Sequence, residues 1–540
     1  MTERAESIVN RVSELANGRG TLENHWNEIA ERMLPSHSQL FTEGEQFRIE
    51  GQKRTHELYD STAAIALERF GATMESMLTP RNSTWHSLRA SDESLMRIHR
   101  VAVWFDEVKR LLFQYRYSPK ANYSSQQHQN YIGLGAFGTA CMFVDQLQQR
   151  GGGMRYKAVP LSNIHFLENH QGLVDTVFRT FTLTSRQAVQ KWPKGLPGKI
   201  LDSANKKPDE KFEFIHAVQP RTDYDPQRAD AKGKPFMSLY IAREDKTELS
   251  EGGFLSFPYA VSRYVTAPGE IYGRSPGMLA LPTVKTLNEE KKTVLKQGQR
   301  ITDPVLLAND DGAMNTFSLH AGAINYGAMS KDGRRLVDVL PTGNIAVGLE
   351  LMQQEQATIN DIFLVTLFQI LVDSPQMTAT EVLERAREKG ALISPTMGRQ
   401  QSEALGPMIE RELDLMAQQR LLPPMPPELI EAEGEYTVQY DSPLSRAQRA
   451  EEASGMYRAL EFALGYFNQT GDASALDHFD MDTITPEVMQ ISGVPAKWRR
   501  SLDQVAEIRN DRAKEAEDRK AIEAAPAIAS LAKGKQGGGR

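Results

Sequence analysis

At 540 residues, with hydrophobic residues at 40% and charged residues at 25%, the chain is long enough for several packed units, and its composition is neither fibrous nor disordered. A formal net charge of −7 argues against a protein that grips DNA tightly, because phosphate binding needs clustered Lys and Arg to release counterions. One cysteine, Cys141, excludes an internal disulfide and cysteine-rich zinc sites and suits assembly in a reducing cytoplasm. The start at Met1 carries no basic-then-apolar signal, and the longest apolar run, 362–372, falls short of the roughly 20 residues that span a bilayer.

Up to about residue 115 the chain reads mainly as helix: Leu22, Trp26, Ile29 and Met33 recur at three- and four-residue spacing, as do Ala63, Leu67, Phe70, Met74 and Met77, with breaks at Pro35 and Pro80. From Thr139 to Pro268, short β-branched and aromatic runs (140–144, 174–183, 212–218 and 254–265) separated by Gly, Pro and Asp predict a β-rich region. Ser275 and Pro276 suit the N-cap and first position of a long helix running to Ile301, with Pro282 kinking it or marking its true start. At about 100° per residue, Lys285, Lys292, Lys296 and Arg300 form one basic stripe, opposite Leu287, Val294 and Ile301.

Residues 302–348, with short apolar runs and Gly- and Asn-bearing turns, predict a small α/β or β excursion. A second long helix is expected over 349–373, with Leu349, Met352, Ile359, Phe363 and Ile370 on one side. Ser374 and Pro375 end it, and Thr378 with Glu381 supplies a capping box for the next. Residues 390–398 read as a break and a candidate loop, 405–422 as helix ending in the stiff Pro423–Pro427 stretch. Beyond Tyr436 come a short strand and more helix, and from about Asn510 a charged, Ala- and Gly-rich flexible tail. The expected fold class is α+β, mainly helical.

Two motifs look chemical. Gly273-Arg274-Ser275-Pro276-Gly277 matches a serine-hydrolase nucleophile elbow, but Pro276 lacks the N–H that such a site places in its oxyanion hole, so a helix cap is the stronger reading of Ser275 and a serine hydrolase the weaker. Gly133-Leu134-Gly135-Ala136-Phe137-Gly138 matches a dinucleotide fingerprint with the element order reversed, helix before strand, which favours a tight turn. Gly195–Lys199 has the wrong spacing for a phosphate loop. His165 and His170 read as ordinary core or surface residues, and neither a metal nor a cofactor is expected. The basic stripe is by default a solvated helix face.

Several segments together resemble the head-to-tail connector, or portal, family of short-tailed double-stranded-DNA bacteriophages. They are Trp26 with Glu28–Glu31 and Pro35, Leu58–Ala63, Leu78–Pro80 with Trp85 and Leu88, Tyr272–Pro276, and Thr378–Val382 with Arg385. The resemblance implies a non-enzymatic ring of about twelve subunits at one capsid vertex of the virion, assembled in the host cytoplasm. Its expected partners are the DNA in its channel, the terminase packaging motor, a tail adaptor protein, and the major capsid and scaffold proteins. On that plan 1–275 is the wing, 276–301 the first stem helix, 302–348 the clip and 349–373 the second stem helix. Residues 374–422 hold the channel loop and wing helices, 423–509 are C-terminal wing and crown, and 510–540 are the tail. Lys285, Lys292, Lys296 and Arg300 are the candidates for DNA contact in the channel, or for pairing with acids of the neighbouring subunit. Leu392, Ile393, Ser394, Met397 and Arg399 are the channel-loop candidates. Another structural virion role, scaffold or tail adaptor, is the alternative.

Overall fold

The computed structural model describes residues 3–365 and 395–519, apart from 39, 44–50, 56–57, 148–150, 309–317, 342, 433, 441–442, 492–493, 495, 501–503 and 517–518. The chain opens with helices α1 (Glu3–Gly18), α2 (Gly20–Met33), α3 (Leu40–Glu43) and α4 (Thr62–Leu78), strand β1 (His86–Ala90), and helices α5 (Glu93–Met96), α6 (His99–Arg116) and α7 (Tyr123–Phe137). Strands β2 (Thr139–Gln146), β3 (Met154–Ala158), β4 (Ile164–Glu168) and β5 (Val174–Thr184) follow, then helices α8 (Ser185–Lys191) and α9 (Gly198–Lys206). Next come β6 (Lys211–Pro220), β7 (Phe236–Ala242), β8 (Thr247–Phe254), β9 (Tyr259–Arg263), α10 (Pro276–Thr302), β10 (Leu306–Ala308), β11 (Val337–Val339) and α11 (Ile345–Ile362). The last named elements are α12 (Gly406–Gln418), α13 (Pro427–Glu431), β12 (Tyr436–Tyr440), α14 (Pro443–Thr470) and α15 (Met481–Ile491).

Two compact units divide the chain, one of residues 1–76, 122–145 and 155–411, the other of 77–121, 146–154 and 412–540. The first is built on a five-stranded antiparallel sheet in the order β4-β5-β6-β7-β8 and a three-stranded one in the order β3-β2-β9. Side chains alternate across a strand. Thus Ile215 and Ala217 of β6 lie with Leu239 and Ile241 under Ala5, Ile8, Val9 and Val12 of α1, while Phe212 and Phe214 pack with Ala188, Trp192 and Ile200 of α8 and α9. Between the sheets, the buried His216 ring bonds the Tyr259 hydroxyl (2.7 Å) and Ser238 Oγ (2.9 Å) and stacks on Tyr240 at 4.1 Å. Burial holds the His216 pKa well below its ordinary range, so the imidazole stays neutral and both nitrogens are spent on packing.

The glycine-rich turn has the reversed order expected of it. Helix α7 runs through Gly133 and Gly135, Gly138 caps it at φ 76°, and β2 begins at once; a left-handed cap is where glycine costs least. A Cβ on Gly138 would lie 2.4 Å from the Gly273 carbonyl oxygen, and one on Gly277 2.8 Å from that of Ala136. These glycines let backbones touch.

In the second unit β1 pairs antiparallel with β12, Leu88 opposite Val438. Arg116, fully buried, makes a two-pronged ion pair with the equally buried Glu412. Its guanidinium lies 4.5 Å from the Trp85 ring centre and bonds His86 Nε2 at 2.9 Å. A buried charge is tolerable only when paired and bonded in this way.

Several expectations need correction. Strand β1 interrupts the helical N-terminal stretch. The run 254–265 is two strands, broken where 255–258 turn between them. The second long helix begins at Ile345 and not Leu349, capped by Asn344 through the Ala346 N–H (3.0 Å), and runs to Ile362, after which Leu364 takes φ 61°; residues 366–373 of the expected helix lie outside the described residues. Leu349 is exposed, while Met352, Ile359 and Phe363 are buried. Met397 and Arg399 are helical and not in a loop. Met397 is buried, and Arg399 pairs with Glu403 at 2.9 Å in a π turn, Gln401–Leu405, that leads into α12. Glu403 is in turn fixed by Arg263, through its N–H (3.0 Å), Nε (3.1 Å) and terminal nitrogen (2.8 Å). Residues 504–516 are helical, so helix continues past Asn510. Leu392, Ile393, Ser394, Ile370, the Thr378–Glu381 capping box and 520–540 lie outside the described residues.

Candidate functional site

The basic stripe lies on α10, so the way that helix is planted decides what the stripe can reach. Ser275 begins it: its hydroxyl accepts the Met278 N–H (2.9 Å) and donates to the Ala136 carbonyl (2.8 Å), and Pro276 follows at the first position. A hydroxyl used in both directions by backbone is a cap and not a nucleophile. Helix continues unbroken through Pro282, and its buried residues, among them Ala280, Leu281, Val284 and Leu287, all lie between Pro276 and Asn288. Residues 289–302 therefore leave the core.

Helix α11 returns alongside. A Cβ on Gly348 would come within 2.9 Å of Val294 Cγ2, one on Gly298 lies 3.9 Å from Ile345 Cδ1, and Gln297 donates to the Gly343 carbonyl at 2.5 Å. The two helices thus form an antiparallel hairpin whose tip, residues 303–344, carries the two-stranded β10–β11 sheet. The hairpin is strapped at its base. Asn288 Oδ1 accepts the N–H groups of Tyr59 (2.8 Å) and Asp60 (3.2 Å), and Gln356 of α11 donates to Asp60 Oδ2 (3.1 Å). Asp60 Oδ1 also accepts the Thr62 N–H (2.8 Å) at the start of α4.

On this frame the four basic residues have different fates. Lys285 pairs with Glu28 of α2 at 2.6 Å, and that bond is the main cause of the lowered Glu28 pKa. Lys292 lies 3.5 Å from Glu289 and 5.5 Å from the Tyr59 ring centre. Lys296 and Arg300 are exposed and unpaired among the described residues. The acids of the hairpin are divided likewise: Glu290 has its pKa raised by burial and then by nearby Glu355, whereas Glu350 and Asp361 are exposed. Asn288 and Gln356 carry no motif, and their partners are distant in sequence; Glu28 and Asp60 lie in the Glu28–Glu31 and Leu58–Ala63 segments of the family resemblance, which are the available signal.

Apolar side chains are also left in water. At the tip Leu319, Ile324 and Tyr326 are 74%, 75% and 85% exposed, and Leu295, Val347 and Leu351 on the hairpin shafts are about half exposed. So much exposed apolar surface on one projecting element marks contact with other protein. Among the described residues no group of three metal-ligating side chains occurs and no helix is long and apolar enough to cross a membrane.

A projecting hairpin with apolar flanks, on a body whose apparent catalytic motifs serve packing, defines a structural subunit made for assembly. The chain matches the family of bacteriophage head to tail connecting proteins over residues 5–499, and it belongs to that family. It is 28% identical over 537 residues to the portal protein of Salmonella phage epsilon15, covering 98% of this chain and 94% of that one. To the probable portal protein of Bordetella phage BPP-1 it is 29% identical over 538 residues, covering 95% and 92%.

Proposed function

We propose that the chain is a portal subunit, forming a ring of about twelve copies at one vertex of the capsid and conducting double-stranded DNA during packaging and ejection. The observation that carries this is the match from end to end, through the family and through both portal relatives. The hairpin supplies the physical support: exposed apolar shafts and tip need neighbours, and a ring of copies provides them. In this reading α10 and α11 are the stem, 303–344 the clip that meets the tail adaptor and terminase motor, and the C-terminal helices the crown. The other partners are the major capsid and scaffold proteins. DNA contact by the basic stripe narrows to Lys296 and Arg300, since Lys285 and Lys292 have partners within the chain.

End-on electron-microscopy averages of the purified protein, with its mass in solution, test the reading. A closed ring roughly an order of magnitude heavier than the 60.5 kDa subunit is expected. A monomer under all assembly conditions overturns it.

A further inference from the structure

We propose that the α10–α11 hairpin is a two-sided docking element, in which the basic outer face of α10 receives the acidic outer face of α11 from a second copy of this chain. The inference rests on the ring reading above and assigns its seam.

The faces follow from helical geometry. Val294, Gln297 and Gly298 of α10 meet Gly343, Ile345 and Gly348 at and before the start of α11. At about 100° per residue, Lys292, Lys296 and Arg300 then point away from α11. On α11, Gly348, Met352 and Ile359 face inward, which turns Glu350 and Asp361 away from α10. The hairpin thus carries unlike charges on opposite outer sides. Lys296, Arg300, Glu350 and Asp361 are all exposed, and all lack an ion-pair partner among the described residues.

Opposite faces of one element that complement each other cannot satisfy each other within one molecule. They can do so between copies, face to back, and such a heterologous contact closes into a ring when the rotation per subunit divides a full turn. The heights also agree. Because Val294 stands level with Gly348 and Gly298 with Ile345, Glu350 of one copy stands level with Lys292 of a neighbour at the same height and about one helical turn, roughly 6 Å along the axis, from its Lys296, within reach of both side chains. Exposed ion pairs alone hold little, so their task is to choose the face and fix the register, while Leu295, Val347 and Leu351 along the same shafts supply apolar area.

The test uses the full-length chain with the buried Cys141 changed to alanine. Lys296→Cys combined with Glu350→Cys, oxidised after assembly, should give a ladder of disulfide-linked oligomers on a denaturing gel, and neither cysteine alone should pass a dimer. Lys296→Glu and Glu350→Lys should each raise the protein concentration needed for half-maximal ring formation by about tenfold, and the double reversal should recover most of that loss. Wild-type rings whose cysteine pair gives no ladder, with both reversals assembling normally, overturn the seam. Normal assembly of Lys296→Glu with loss of DNA retention also overturns it and returns this face to the channel. Failure of the wild type to close into any ring would instead refute the portal reading itself.

Discussion

His165 of β4 is buried beside Arg19, whose guanidinium bonds the Ile164 carbonyl at 2.5 Å. Desolvation first, then the charges of Arg19 and Arg243, push its pKa from the ordinary 6.5 down to about 3. A depressed histidine adds stability that is fully present above 6.5 and is lost as pH falls, because the unfolded chain takes a proton that the native ring refuses. At pH 5 the loss from this one residue is about 2 kcal/mol. His165→Leu should therefore show a shallower fall in denaturation midpoint between pH 7 and pH 5 than the wild type. Parallel profiles would mean that His165 is protonated or solvated in the fold. The sequence leaves this histidine open between core and surface, and the structure buries it; the sequence gives no access to the Arg116–Glu412 pair, whose partners lie 296 positions apart. The same distance problem hid Asn288, which holds a backbone 229 positions away.

Among the elements, helices were legible where the packing stripe was local, and strands were not where pairing was remote. The Ser275-Pro276 start of α10 follows from capping chemistry alone, and the excursion between two helices follows from turn residues. Strand β1 has only five residues and pairs with β12 some 350 positions on, so its strand character comes from a neighbour and not from its own composition. The apolar pattern runs on past Phe363 and gives no sign of the turn that the backbone makes at Leu364. Helix α7 offers a paired test of how glycine is used. A Cβ on Gly135 would lie 2.6 Å from the Phe70 ring and 2.9 Å from Leu67 Cδ1, whereas one on Gly133 would have only Ala140 Cβ near it, at 3.9 Å. Gly135→Ala should cost about 1–3 kcal/mol by overpacking. Gly133→Ala should stabilise by up to about 1 kcal/mol, through helix propensity. Chemical denaturation of the two variants checks both signs; equal effects would show that the α4–α7 contact yields to an added methyl group.

For the molecule as a whole, net charge constrains what a conduit can do. Each copy carries −7, so a ring multiplies a repulsive background that acts on any polyanion near its wall. A protein that fastens 6–10 phosphates loses about 10³–10⁵ in affinity between 50 and 200 mM salt, because each contact releases condensed counterions. A channel through which duplex must slide in both directions has the opposite requirement, since every firm contact at one register must break before the next is reached. Several basic groups fit that need by being occupied at home: Lys285 by Glu28, Arg263 by Glu168 and Glu403, Arg116 by Glu412. If Lys296 and Arg300 are also taken up at the subunit seam, the basic stripe of α10 has no free cation left to grip phosphate. Purified rings should then bind a short duplex weakly in fluorescence anisotropy, with a log–log salt slope shallower than about −3, corresponding to roughly three phosphates or fewer. A slope as steep as that of a sequence-specific repressor, near −10, would show a DNA-gripping wall, and free passage would then need a mechanism other than weak adhesion.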